Sequence, residues 1–305
     1  MLRSLNLKKA ALNGFQGRER CMFREVDTKN PGAVRDEVTT IYLSLFPGAS
    51  PEFVTKALQW TEDCFSGRYA DYQAIDAKYH DLEHTLQVTV CYVRLLQGYK
   101  KAHVSPELTP RMFELGLLAI LLHDTGYLKK KSDTEGTGAK YTLTHVARST
   151  DFAAKLLREK GLPEEEIRSV QNMVRCTGLN AELATIPFQS DLERNMGFAL
   201  ATADLLGQMA AHDYIEKLNI LFQEFEESNH FNGKFTGPGI YTSVDELRRR
   251  TPQFWHDYVL PKIDHDFHGL YKYLSHPFPN GANEYLDRVK SNIHRLQEQL
   301  GALVA

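Results

Sequence analysis

"PRMFELGLLAILLHDTGYL", Pro110–Leu128, decides the fold. Its centre, Leu115–Leu122, is apolar on every side, so it is buried whether helix or strand. Its length, its Leu and Ala content and the lack of alternating patterns nearby select helix. The run then ends on two polar residues, His123 and Asp124, where the surroundings should be dry.

Working outward, the same helical reading holds. "AVRDEVTTIYLSLF" runs to the Pro47-Gly48 breaker. "SPEFVTKALQWTEDCF" offers Ser50 as N-cap and Pro51 as first helical residue. "LEHTLQVTVCYVRLLQG" reads as a long apolar helix closed by Gly98. "THVARSTDFAAKLLREKG" reads as a helix capped by Thr142 or Thr144 and closed by Gly161. "PEEEIRSVQNMVRCTG" carries its acids in the first turn, as the helix dipole favours. "ERNMGFALATADLLGQMAAHDYIEKLNILFQEFEES" reads as one long helical region, and the C-terminal third is helical again. "NHFNGKFTGPGIYTS" is the most loop-like segment. The expected fold is all-α: an arm over residues 1–32, flexible or a short amphipathic helix, then one helical domain over 33–305.

Composition excludes several classes. A formal net charge of −3, with both signs interspersed, is not the footprint of a protein that binds a nucleic-acid polymer. Cys21, Cys64, Cys91 and Cys176 include no CxxC pair, so reduced, buried thiols are expected rather than a disulfide framework or thiolate zinc cluster. No stretch is long and apolar enough to span a bilayer, and no secretory signal is evident. The chain reads as soluble and cytoplasmic. The sequence leaves its oligomeric state open.

Chemistry is expected where polar residues interrupt apolar runs. Besides His123 and Asp124, His84 heads one apolar helix and Asp204 interrupts "FALATADLLGQM". A lone carboxylate in such surroundings is costly unless it is paired or binds a metal. Helices of a bundle can aim such side chains at one metal. Imidazole and carboxylate ligands suit Zn, Fe, Mn, Ni or Co, with Mg at an oxygen-rich position.

The order His84, His123-Asp124, Asp204, carried by "YHDLEH", "LLHDTGY" and "ATADLLGQ", resembles the HD-domain superfamily of metal-dependent phosphohydrolases over roughly residues 79–209. The resemblance implies an all-helical HD-type bundle with these four residues as metal ligands. It also implies that Asp124 is catalytic and able to bridge two metals. The first motif, Tyr79-His80-Asp81-Leu82-Glu83-His84-Thr85, is similar to that of the cyclic-nucleotide phosphodiesterases. This likeness implies His80 as the general acid and His84 as a ligand. The chain departs from that family at Asp81, which replaces Asn, and at Thr125-Gly126-Tyr127.

Further candidates surround this core. His145, on the inward side with Ser149, Phe152 and Leu156, is the best extra ligand for a second, weaker metal beside one tight site. Where some superfamily members add later histidines, this chain has Arg175 and Cys176. In "YLKKKSDTEGTGAKYT", directly after the His-Asp pair, Lys129 and Lys140 are candidates for substrate phosphate, with Arg175; a solvated charge run is the ordinary alternative. "EGTGAK" lacks the spacing of a P-loop. The expected function is hydrolysis of a nucleotide or other small phosphate mono- or diester through a metal-activated water. The alternatives are an HD-scaffold dinuclear-iron oxygenase and a non-catalytic metal-binding sensor.

Overall fold

The computed structural model describes residues 23–233 and 241–302. Most of the expected arm, and residues 234–240 of the expected loop, lie outside the described residues. The end of the arm that is described packs on the body. Phe23 stacks on His276, with the Arg94 guanidinium over its ring.

The described chain is all-α, with ten α-helices and no sheet among the described residues: α1 (Pro31–Leu45), α2 (Glu52–Phe65), α3 (Leu82–Lys101), α4 (Pro110–Leu122), α5 (His145–Glu159), α6 (Glu164–Val174), α7 (Asp191–Met209), α8 (Tyr214–Asn232), α9 (Val244–Phe254) and α10 (Glu284–Ala302). None of the described helices is long and apolar enough to cross a membrane. The described cysteines, Cys64, Cys91 and Cys176, are free and buried.

The deciding stretch forms α4. Thr109 caps it by accepting from the Met112 N–H at 3.2 Å, and Pro110 opens the first turn. Every residue from Leu115 to Leu122 is buried. The helix stops as His123 and Asp124 are reached, so the two polar residues emerge at its C-terminal end. α3 begins at a matching depth. Asp81 caps it, accepting from the backbone N–H of His84 at 2.8 Å. α3 packs mainly along α7, and α4 lies against α2, α3, α6 and α7.

Three boundaries differ from the sequence reading. Gly98 does not close α3, which continues to Lys101. A Cβ at Gly98 would lie 1.8 Å from the Tyr273 carbonyl oxygen, so this glycine serves a close crossing instead. The long region from Glu193 to Ser228 is two helices, broken between Met209 and Tyr214. Asn292 of α10 enters that break and donates to the Met209 and Ala211 carbonyls at 2.9 and 2.8 Å. Finally, Pro51 precedes α2, with the Ser50 hydroxyl accepting from the Glu52 N–H at 3.2 Å.

Candidate metal centre

Two helix ends and the body of a third helix meet in the core. α3 supplies His84 from its first turn, the end of α4 supplies His123 and Asp124, and α7 supplies Asp204. His84 Nε2 and His123 Nε2 each lie 3.2 Å from Asp124 Oδ2. Asp204 Oδ1 stands 3.4 Å from His84 Nε2 and 3.6 Å from His123 Nε2. His84, His123 and Asp124 are buried and form a group able to hold a metal ion.

The hydrogen bonds around this group point the same way. His123 Nδ1 donates to the Ile120 carbonyl at 2.7 Å, which leaves its Nε2 lone pair facing the cluster. His84 Nε2, His123 Nε2 and Asp124 Oδ2 are buried without an aligned hydrogen-bond partner. Orphaned buried polar atoms are rare because each one forfeits its hydration. Three of them facing each other match the donor set of a cation site.

Charge is pulled in accordingly. Burial opposes a proton on His84, but the Asp124 and Asp204 carboxylates outweigh it and raise the imidazole from 6.5 to about 9. The same balance carries His123 well above its ordinary value. Burial would raise Asp124 and Asp204; the two imidazoles instead hold both carboxyls below the usual range. Without another cation, the cluster gathers protons.

His145 opens α5, as the sequence suggested, with Ser149, Phe152 and Leu156 buried on its side. Its Nδ1 donates to the Thr142 carbonyl at 2.6 Å, and its Nε2 lies 3.9 Å from Asp124 Oδ1. Burial holds its pKa below the ordinary value. The two oxygens of Asp124 therefore face different neighbours, Oδ2 the main cluster and Oδ1 His145.

His80 makes no hydrogen bond to the cluster atoms but meets the His84 ring edge-on, 5.5 Å between centroids. Its ring stacks on Tyr127 at 4.4 Å between centroids. Its Nδ1 donates to Glu224 Oε2 at 2.6 Å, and Glu224 Oε1 accepts the Tyr79 N–H at 2.8 Å. Burial pushes the Glu224 carboxyl up, but His80 and the backbone donors bring it below its ordinary value. Tyr79 continues the network from its other end. Its hydroxyl donates to Gln208, whose amide in turn donates to Asp204.

Glu224 and Gln208 were not singled out by the sequence reading. A signal for Glu224 existed: on α8 it falls on the inward register between Leu221 and Ser228, but nearby Glu226 and Glu227 hide it. Nothing in the sequence marks Gln208.

The candidate phosphate contacts are not gathered at the centre. Lys129 is only 4% exposed; it pairs with Asp76 Oδ2 at 2.9 Å and donates to the Gly136 carbonyl. Lys140 pairs with Asp133 and donates to the Glu135 carbonyl at 2.6 Å. Exposed Arg175 donates to Asn172 Oδ1 at 2.8 Å. The glycine-containing loop holds anions, but they are the protein's own: the Gly138 N–H meets Asp76, and the Thr137 N–H meets Glu227.

Comparison with known proteins adds a family. The family described as Npun_R2479-like matches residues 64–298, roughly three quarters of the chain, including every residue of this centre. No curated protein matches the chain.

Proposed function

The chain belongs to the Npun_R2479-like family, and for it we propose metal-dependent hydrolysis of a nucleotide or other small phosphate mono- or diester. The observation that carries this reading is the convergence of three orphaned buried atoms, His84 Nε2, His123 Nε2 and Asp124 Oδ2. Asp204 completes a four-residue set in the order that resembles the HD superfamily. Ligand atoms about 2.1 Å from one ion stand about 3.0 Å apart across an octahedral edge and about 3.4 Å across a tetrahedral one. The separations of 3.2–3.6 Å between these side chains support that use.

His84, His123, Asp124 and Asp204 would hold a divalent ion. When bound, it would supply a water of lowered pKa and neutralise charge on phosphoryl oxygens. The remaining work falls to the chain's own groups. Glu224 takes the Nδ1 proton of His80 in a hydrogen bond and fixes the ring, leaving Nε2 as the end that can pass a proton to the leaving oxygen. Tyr127, stacked flat on His80, stops the ring from turning away. Tyr79 links the two parts: its N–H orders Glu224, and its hydroxyl orders Gln208 beside Asp204.

A screen of phosphomonoesters, cyclic nucleotides and dinucleotides with Mn, Mg, Zn, Fe, Ni and Co tests the proposal. Turnover with at least one pair is expected. Tight stoichiometric metal with no turnover on any substrate would leave a sensor instead.

One observation favours a second reading, the dinuclear-iron oxygenase. Asp124 Oδ1 faces His145 Nε2 across 3.9 Å, where a second ion would have two donors. Two irons per chain and substrate-dependent oxygen consumption would establish it in place of hydrolysis.

A further inference from the structure

Behind the turn that carries Asp124 lies a cavity of about 400 Å³, bounded by the following residues Thr125 and Gly126, by α5 and by the loop after Leu128. That volume falls in the ordinary range for small-molecule sites. It is separated from the metal centre by the backbone of the turn itself. Gly126 fits there only because it has no side chain; a Cβ would lie 2.0 Å from the His145 carbonyl oxygen.

The walls combine aromatic rings with cations. Tyr72 and Phe152 meet edge to face at 4.9 Å and are both buried. The ammonium groups of Lys130 and Lys155 sit 5.9 and 5.5 Å from the Tyr72 ring centroid. Lys130 shares only an exposed pair with Asp71 at 3.4 Å, and Lys155 forms no ion pair among the described residues. The Arg148 guanidinium lies over Tyr141, its Cζ 3.4 Å from the ring centroid. Its Nε donates to the Gly126 carbonyl at 2.7 Å and one Nη to the Leu128 carbonyl at 2.9 Å; the other Nη has no partner among the described residues. Of the two acids at the cavity, Asp133 is already taken by Lys140 and Tyr141, which leaves Asp151 there, with Asp71 outside it, against Lys130, Lys155 and Arg148.

We infer that this cavity binds a small aromatic anion, with its ring against Tyr72 and Phe152 and its negative group between Lys130, Lys155 and the free edge of Arg148. Asp151 suits a ring N–H or amino group. The site does not depend on the hydrolase reading, since none of these residues belongs to the metal centre. It is nevertheless joined to that centre: Arg148 holds the Gly126 and Leu128 carbonyls of the turn after Asp124, so a ligand that fixes Arg148 also fixes the turn.

The test is isothermal titration of phenylphosphonate into the full chain stripped of metal in EDTA. Saturable one-to-one binding is expected. Lys130→Ala/Lys155→Ala should weaken it at least about tenfold through loss of two charge-assisted contacts. Both lysines are exposed, and unchanged helical circular dichroism checks the fold. Asp124→Asn, across the turn, should change binding by less than about twofold. Inorganic phosphate and benzyl alcohol, each carrying half the chemistry, should bind at least about tenfold more weakly. The inference is overturned by absence of saturable binding, or by binding that survives the double variant. It also fails if Asp124→Asn abolishes binding, which would put the probe at the metal centre, or if phosphate alone binds equally well.

Discussion

The candidate metal centre and the loop that follows it, residues 129–141, both enclose charge, and they settle it differently. In the loop each enclosed charge has its partners: Lys129 has Asp76 and the Gly136 carbonyl, Lys140 has Asp133 and the Glu135 carbonyl, and the Thr137 N–H and hydroxyl donate to Glu227 of α8. At the centre, two imidazole nitrogens and a carboxylate oxygen stand close together without an aligned bond. Buried polar groups are tolerated when satisfied and costly when not. A complete network therefore reads as structure, and an incomplete one reads as a place for something else. The sequence-level candidates divide along that line.

The largest expected effect breaks the incomplete cluster. Asp124→Ala removes the oxygen nearest to both His84 and His123, 3.2 Å from each, so metal and activity should disappear together. Metal per chain should fall from one equivalent to a trace, and turnover should drop by more than about a thousandfold. A variant that keeps its metal while losing turnover would separate Asp124 from the ligand set.

His80→Ala comes next. It touches none of the orphaned atoms, so the tight metal should remain. Turnover of an alkyl ester should fall by about 10²- to 10⁴-fold, the usual reach of a general acid. An aryl ester with a good leaving group needs little protonation and should fall much less. If both esters lose rate equally, His80 is not the acid. Glu224→Gln should give the same pattern in weaker form, because the amide still orders the ring.

These two sites also show what the sequence made legible. Ligand candidates stood out because a polar residue in an apolar run violates a simple expectation: His123 and Asp124 after Leu115–Leu122, Asp204 within "FALATADLLGQM". Helix existence was legible for the same reason, from long apolar periodic runs. What could not be read was pairing across distance. Asp76 lies 53 positions before Lys129 and Glu224 lies 144 after His80, so nothing local shows that one lysine is taken or that one glutamate in an acidic helix faces inward. Gly98 misled for a related reason, since the backbone it admits comes from Tyr273. Asp81, which departs from the phosphodiesterase pattern, has a local role: it caps α3 at the N–H of His84. Asn caps equally well, so the exchange of one for the other carries no information about substrate.

A pH series sharpens the electrostatic side. His84 is raised from 6.5 to about 9 in the metal-free cluster. The folded state thus holds a proton there that the unfolded chain releases near 6.5. The stability from this protonated pairing is fully present below about pH 6.5 and is lost as pH rises through about 9. Metal needs the neutral ring, so its binding expels that proton, and with His123 raised as well affinity should climb at least about tenfold per pH unit across the same window. Chemical denaturation of metal-free protein and competition titration with a chelator should therefore move in opposite directions between pH 6.5 and 9. Affinity that stays flat would mean that the ion does not use His84.

The smallest effect on activity is expected from Lys129→Ala, which tests the other half of the comparison. Lys129 is nearest in sequence to the centre among the candidate phosphate contacts, yet its ammonium is enclosed by Asp76 and the Gly136 carbonyl. Truncation leaves both without their cation. Asp76 is about a third exposed, so water recovers part of the loss, and destabilisation of about 2 kcal/mol is expected rather than the full cost of breaking a buried pair. Thermal unfolding should fall by several degrees, while kcat/KM per folded molecule should change by less than about threefold. The reverse result, an unchanged melting temperature with a large rise in KM, would place Lys129 on the substrate. A satisfied network would then no longer mark structure in this molecule, because the Asp76 pair would have to open for each turnover.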